Sequence, residues 1–242
     1  MTKQAILILH GWGSSLEHWI PVKNLLKKGG YQVFVPDLPG FGENPPPSKA
    51  WEIDDYVEWV KEFCEEQNLS QIFLIGHSFG GGIASKFAAK YPKKVSLLIL
   101  IAPAIVRQKK LRQYIYFALS KIGKLIFSLP ILSFLQPAAK KLLYRLLGVS
   151  DYYKLFIKKE LNMKETFKKI IKEDLQKFLP QIKSKTLVIW GEKDKITPLG
   201  DAYLIHKGIL DSDLKIIPEV GHIPHFKVPE KLAEIILQFL RS

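Results

Sequence analysis

A chain of 242 residues with 47% hydrophobic side chains can build one sizeable core and is too apolar to be disordered. Its formal charge of +13 is carried by lysine; Arg107, Arg112, Arg145 and Arg241 are its only arginines, which argues against sequence-specific nucleic-acid recognition. The single cysteine, Cys64, excludes an internal disulfide and points to a reducing, cytoplasmic setting.

The N-terminus enters the apolar run Ala5–Leu9 almost at once. That run is too short for a signal-peptide core and predicts a buried first strand. A helix is expected from Glu17 to Lys28, stopped by Gly29-Gly30, followed by a strand at Gln32–Val35. The stretch 37–47, with three consecutive prolines, predicts a loop. A helix follows at Asp54–Gln67, with Val57, Val60, Phe63 and Cys64 on one face. Then come a strand at Gln71–Ile75, a helix at Phe79–Lys90 and a strand at Val95–Ile101. Short all-apolar strands alternating with helices predict a parallel sheet covered on both faces.

The alternation breaks between residues 104 and 183, where no strand is predicted and the pattern is helical, apolar and basic. Residues 105–185 hold 19 Lys+Arg against 5 Asp+Glu, whereas the rest of the chain holds 17 against 18. The whole charge excess therefore sits in this insertion. The alternation returns with a strand at Thr186–Trp190, a helix at Pro198–Lys207, a strand at Leu214–Ile217 and a helix at Glu230–Leu240. Both flanks belong to one sheet, so residues 104–183 read as a helical cap on a core made of residues 1–103 and 184–242. The best candidate for a membrane span, Ile115–Leu135, is interrupted by Lys121, Lys124 and Pro130.

Three motifs carry chemistry. Gly76-His77-Ser78-Phe79-Gly80 lies between a predicted strand and a predicted helix, the setting of a nucleophile elbow. There a serine occupies a strained turn, and the glycines let strand and helix approach closely. His10-Gly11-Trp12-Gly13 ends the first strand, where a loop amide completes an oxyanion hole. The expected donors are the backbone N–H groups of Trp12 and Phe79, the latter at a helix start that favours an anion. The Trp12 ring either lines an acyl pocket or simply packs.

The third motif supplies an acid and a base. Asp194 follows the strand Thr186–Trp190, and His222 follows Leu214–Ile217. Parallel strands bring their C-terminal ends to one edge, so Ser78, Asp194 and His222 can meet there, in the chain order Ser–Asp–His. Glu192 is the rival acid, two residues past its strand. Asp201 falls on the next helix, and Asp37 precedes the nucleophile and reads as a turn residue. His225 forms an H-x-x-H with His222, a weak metal signal without further ligands. His10 and His77 are expected to orient loops, and His18 and His206 to be structural or solvated. No metal and no cofactor is expected.

These motifs, with Asp37-Leu38-Pro39-Gly40-Phe41-Gly42, Gly191-Glu192-Lys193-Asp194 and Gly221-His222, resemble the α/β-hydrolase superfamily in its branch with a small helical cap. That branch includes carboxylesterases and carbon–carbon bond hydrolases. The resemblance covers nearly the whole chain outside the cap. It implies an α/β-hydrolase fold with a mostly parallel sheet of about six strands, because the chain lacks the one or two strands that often precede the first. It implies a serine hydrolase acting on a small-molecule ester. Thioester cleavage, acyl transfer and diketone hydrolysis use the same machinery, and Ser78 argues against relatives with an aspartate nucleophile. A reading from another class is a small-molecule-binding protein that keeps the fold without catalysis. The basic cap suggests contact with an anionic membrane surface. The plainer expectation is that its apolar face packs on the core and its lysines are solvated.

Overall fold

The computed structural model describes residues 5–106 and 161–241. Six strands form one sheet in the order β2-β1-β3-β4-β5-β6, and every neighbouring pair is parallel. They are β1 (Ala5–Leu9), β2 (Val33–Phe34), β3 (Ile72–His77), β4 (Val95–Ile101), β5 (Lys185–Gly191) and β6 (Ser212–Ile217). The described helices are α1 (Ile20–Lys28), α2 (Ile53–Glu66), α3 (Phe79–Lys90), α4 (Leu161–Ile170), α5 (Leu199–Gly208), α6 (Pro224–Lys227) and α7 (Pro229–Phe239).

Alternation along the strands sorts the core into two layers. Leu7, Leu74 and Leu98 lie in register across β1, β3 and β4. They join Tyr56, Val57 and Val60 of α2 and Ile83, Ala84 and Phe87 of α3 in one buried cluster. Ile8, Ile75, Ile99 and Leu187 are in register one residue further on. They face the other way, onto Val22 and Leu26 of α1 and Leu232, Ile235 and Ile236 of α7. Strands buried on both faces need this uninterrupted apolar run, which is why their sequences do not alternate with polar residues.

Three details differ from the sequence pattern. The edge strand β2 is only two residues long and pairs with β1 alone. The predicted helix from Glu17 opens as a 3-10 turn, Leu16–Trp19, before α1. Pro21 sits in the first turn of α1, where its missing N–H costs no helix bond. The Pro-containing loop after His222 holds the short helix α6, again with a proline in its first turn.

Of the predicted cap, residues 107–160 lie outside the described residues. The part that follows packs directly on the core. Met163 lies against Gly40, leaving no room there for a Cβ. The Trp51 N–H donates to Thr166 Oγ1 at 2.8 Å, and the Leu175 N–H to the Ile105 carbonyl at 3.2 Å. The Lys86 ammonium reaches Asp54 at 2.7 Å and Glu173 at 2.6 Å while only 6% of its side chain is exposed. A buried cation requires such partners, so these contacts tie residues 161–182 to α2 and α3. No helix among the described residues is long and apolar enough to cross a membrane.

The strand order reverses between β1 and β3: β1 continues to β2 on one side, and the chain returns to β3 on the other. A crevice at the C-terminal ends of strands forms at such a switch point. The oxyanion-loop candidate follows β1, and the nucleophile candidate follows β3.

Candidate active site

Ser78 is the hinge between β3 and α3, with φ 52° and ψ −114°. That pair lies outside the regions ordinary residues occupy and stores strain of about 1–3 kcal/mol. The turn holds because glycines lie two residues away on either side. A Cβ on Gly76 would lie 2.5 Å from the Gly80 carbonyl oxygen, and one on Gly80 would lie 2.2 Å from that of Leu9. The Ser78 N–H donates to the Ile101 carbonyl at 3.0 Å, and the Ser78 carbonyl accepts from Gly82 at 3.1 Å and Ala104 at 2.8 Å. The turn is therefore bonded on both sides, and Ser78 is half-buried at the sheet edge.

The loop after β6 delivers His222 to that hydroxyl. His222 Nε2 and Ser78 Oγ are 3.0 Å apart, and His222 Nδ1 is 2.7 Å from Asp194 Oδ2. The Asp194 side chain is fully shielded from solvent, and that of His222 is 10% exposed. Burial pushes the Asp194 carboxyl up. The hydrogen bond and electrostatic field of His222, with Thr197 Oγ1–H and the Ile196 N–H, outweigh it and hold the pKa below its ordinary value. The carboxylate stays ionised and can stabilise an imidazolium beside it.

Thr197 is a residue the motif reading missed. Its hydroxyl donates to Asp194 Oδ2 at 2.8 Å and lies 3.2 Å from His222 Nδ1. Asp194 Oδ1 accepts the Ile196 and Thr197 N–H groups at 2.8 and 3.0 Å. This is a turn built on the side chain of its own first residue, and Asp followed by Thr three places on and then Pro was a legible sign of it. Glu192, the rival acid, accepts the Glu219 N–H at 3.1 Å instead of meeting His222.

The two oxyanion candidates lie side by side. The Gly80 N–H donates to the His10 carbonyl at 3.1 Å, latching the loop after β1 to the first turn of α3. Trp12 and Phe79 pack edge-to-face with ring centroids 5.2 Å apart. The Phe79 N–H is the first of α3, an amide for which the helix offers no acceptor. Phe41 and Phe167 close around the Trp12 ring at 4.8 and 5.0 Å. Phe167, on α4, carried no sequence motif and joins this apolar wall only through the fold.

The remaining candidates hold loops. His10 is buried and lies between two backbones: Nδ1–H donates to the Gly11 carbonyl at 2.8 Å, and Nε2 accepts the Leu38 N–H at 3.0 Å. Burial keeps its pKa below the ordinary histidine value, so the ring is neutral, as an acceptor at Nε2 requires. Asp37 accepts the Leu16 N–H at 2.7 Å and the Glu43 N–H at 3.2 Å, which makes it an organiser of the loop 37–44. His225 does not chelate with His222; it stacks on Trp19 at 4.3 Å. Asp201 is buried on α5.

Comparison with known proteins identifies the family and the fold. The family model described as alpha/beta hydrolase fold matches residues 4–121 and 141–229. Monoacylglycerol lipase ABHD6 of Mus musculus is 30% identical over 267 residues, covering 99% of this chain and 76% of the mouse protein. Lipase 1 of Psychrobacter immobilis is 27% identical over 245 residues, covering 96% of this chain and 75% of that lipase. A thermophilic esterase from Thermogutta terrifontis superposes with a TM-score of 0.75 at 22% identity, covering 99% of this chain and 90% of the esterase.

Proposed function

We propose that this chain, which belongs to the α/β-hydrolase family, hydrolyses carboxylic esters with Ser78 as its nucleophile. One observation carries the reading: an unbroken hydrogen-bonded line from Ser78 Oγ through His222 to a buried, ionised Asp194. His222 Nε2 takes the Ser78 proton as Oγ attacks the ester carbonyl. Asp194 holds the ring with Nδ1–H toward itself and stabilises the cation that forms. The Trp12 and Phe79 amides receive the oxyanion, each such donor contributing about 3–4 kcal/mol in the transition state. His222 then gives its proton to the leaving alcohol. Water repeats the steps on the acyl-enzyme and frees the acid.

The acyl group is the part of the substrate the site can select. Trp12, Phe41, Phe79 and Phe167 make an apolar wall beside the oxyanion amides. An apolar acyl chain fits that wall, and the relatives named lipase support the choice of an ester. The lone, buried Cys64 supports a reducing, cytoplasmic setting. The test is a p-nitrophenyl ester series from acetate to laurate. Wild type should turn over, with kcat/KM rising as the acyl chain lengthens. Asp194→Asn should lower kcat by about 10⁴-fold, because the wrong imidazole tautomer would face the serine. No turnover of any member, with Asp194→Asn indistinguishable from wild type, contradicts the reading.

A further inference from the structure

We propose that His77 is a positioning residue whose imidazole sets the spacing between the oxyanion loop and the loop that carries His222. The inference rests on the reading of His222 as the catalytic base and adds a residue that the triad does not contain.

His77 ends β3 and immediately precedes Ser78 in the chain. Its Nε2–H donates to the His222 main-chain carbonyl at 2.8 Å, across 145 positions in sequence. A carbonyl only accepts, so the proton must be on Nε2. The opposite edge of the ring faces the oxyanion loop: a Cβ on Gly11 would lie 2.9 Å from His77 Nδ1 and 3.3 Å from the Ser78 Cβ. Nδ1 is buried and has no hydrogen-bond partner. Burial, followed by the fields of His225 and His222, holds the ring neutral, so one proton serves one bond.

The ring is also clamped from the side. His225 meets it edge-on at 4.6 Å, and Trp19 stacks on His225 with the rings 6° from parallel. His225 belongs to α6, which begins two residues after His222. The H-x-x-H pair therefore has a physical meaning without a metal. Its second histidine braces the ring that holds the main chain of the first. A single imidazole thus touches the elbow, the base loop and the oxyanion loop. If it is shortened or loses its donor, the 3.0 Å separation of His222 Nε2 and Ser78 Oγ is free to lengthen. Substrate binding on the apolar wall does not use His77, so KM is expected to stay while kcat falls.

The experiment compares His77→Gln, His77→Asn and His77→Phe with wild type and Ser78→Ala on p-nitrophenyl butyrate. The Gln amide nitrogen reaches the place of Nε2; the Asn nitrogen reaches only that of Nδ1; Phe keeps the ring and lacks the donor. His77→Gln should retain kcat within about 3-fold, while Asn and Phe should lose about 10- to 100-fold with KM within about 2-fold. Phe with wild-type kcat, or Gln and Phe losing kcat equally, would overturn the proposal. Should the variants fail to fold, ¹⁵N spectra of wild-type imidazoles decide it. A neutral Nε2–H tautomer for His77, slow to exchange with water, is expected, and an Nδ1–H tautomer would overturn it. Failure of the parent reading looks different: wild type itself would hydrolyse no ester.

Discussion

The two ends of β3 pose the same backbone problem and solve it differently. Before the strand, Asn68 takes φ 54° in the turn that closes α2. There its N–H bonds the Glu65 carbonyl and the Leu69 N–H bonds that of Cys64. Asparagine tolerates a left-handed backbone, so this end is relaxed. After the strand, Ser78 takes φ 52° with ψ −114°, a conformation that serine does not favour. The strained end is also where three buried histidines gather: His10, His77 and His225. A backbone that local preference would refuse persists where chemistry uses it, and the packing around it must supply the difference.

The largest effect should be on turnover. Ser78→Ala should lower ester hydrolysis by about 10⁴-fold or more, because the residual catalysis comes from the oxyanion hole alone. Asn68→Ala should leave turnover within about 2-fold, since its end of the strand lies outside the triad. Assays of both variants side by side check this, and comparable losses would abolish the distinction between the ends.

The next effect is steric. Gly80→Ala places a Cβ 2.2 Å from the Leu9 carbonyl oxygen, and only a backbone shift can relieve it. A loss of about 3 kcal/mol in urea unfolding is expected. Gly200→Ala, also in a helix, meets nothing within 4 Å and should gain about 0.5–1 kcal/mol. Equal effects at the two glycines would show that the close approach at the elbow does not matter.

The third effect is on pH. Burial lowers the His225 pKa from 6.5 to about 3 in the folded protein. Between those values the unfolded chain binds a proton that the folded chain refuses, so stability is full above about pH 6.5 and falls as acid is added. This one residue should cost about 2 kcal/mol between pH 7 and pH 5. His77 acts with the same sign. Urea unfolding at pH 7, 6 and 5 should show the decline, and His225→Phe should flatten it. An unchanged slope in that variant would place the acid sensitivity elsewhere.

The smallest effect isolates the strain itself. Ser78→Gly should raise stability by about 1 kcal/mol as it destroys activity. Asn68→Gly should change stability by less than about 0.5 kcal/mol. Thermal unfolding of the pair checks this. Equal shifts would mean that Ser78 carries no more strain than Asn68.

Much of this was legible in the residues. The all-apolar runs at Ala5–Leu9, Val95–Ile101 and Thr186–Trp190 could be satisfied only by strands buried on both faces. The glycines around Ser78 announced a close strand-to-helix approach. The order Ser78, Asp194, His222 placed three distant side chains on one edge. What escaped was tertiary. Thr197 is the local exception: the spacing of Asp194, Thr197 and Pro198 announces a turn that the motifs do not include. Phe167 reaches Trp12 only because α4 packs across the loop of Gly40. His225 gave only a weak metal signal, because its spacing from His222 is visible in sequence, whereas its stacking on Trp19 is not.

The central claim is that Ser78 is a nucleophile activated by His222 and Asp194, and covalent capture tests it most directly. Wild-type protein treated with a fluorophosphonate should gain one adduct, mapped by peptide mass spectrometry to the peptide carrying Ser78, and Ser78→Ala should gain none. Labelling of both proteins to the same extent, or an adduct on another residue, would contradict the account.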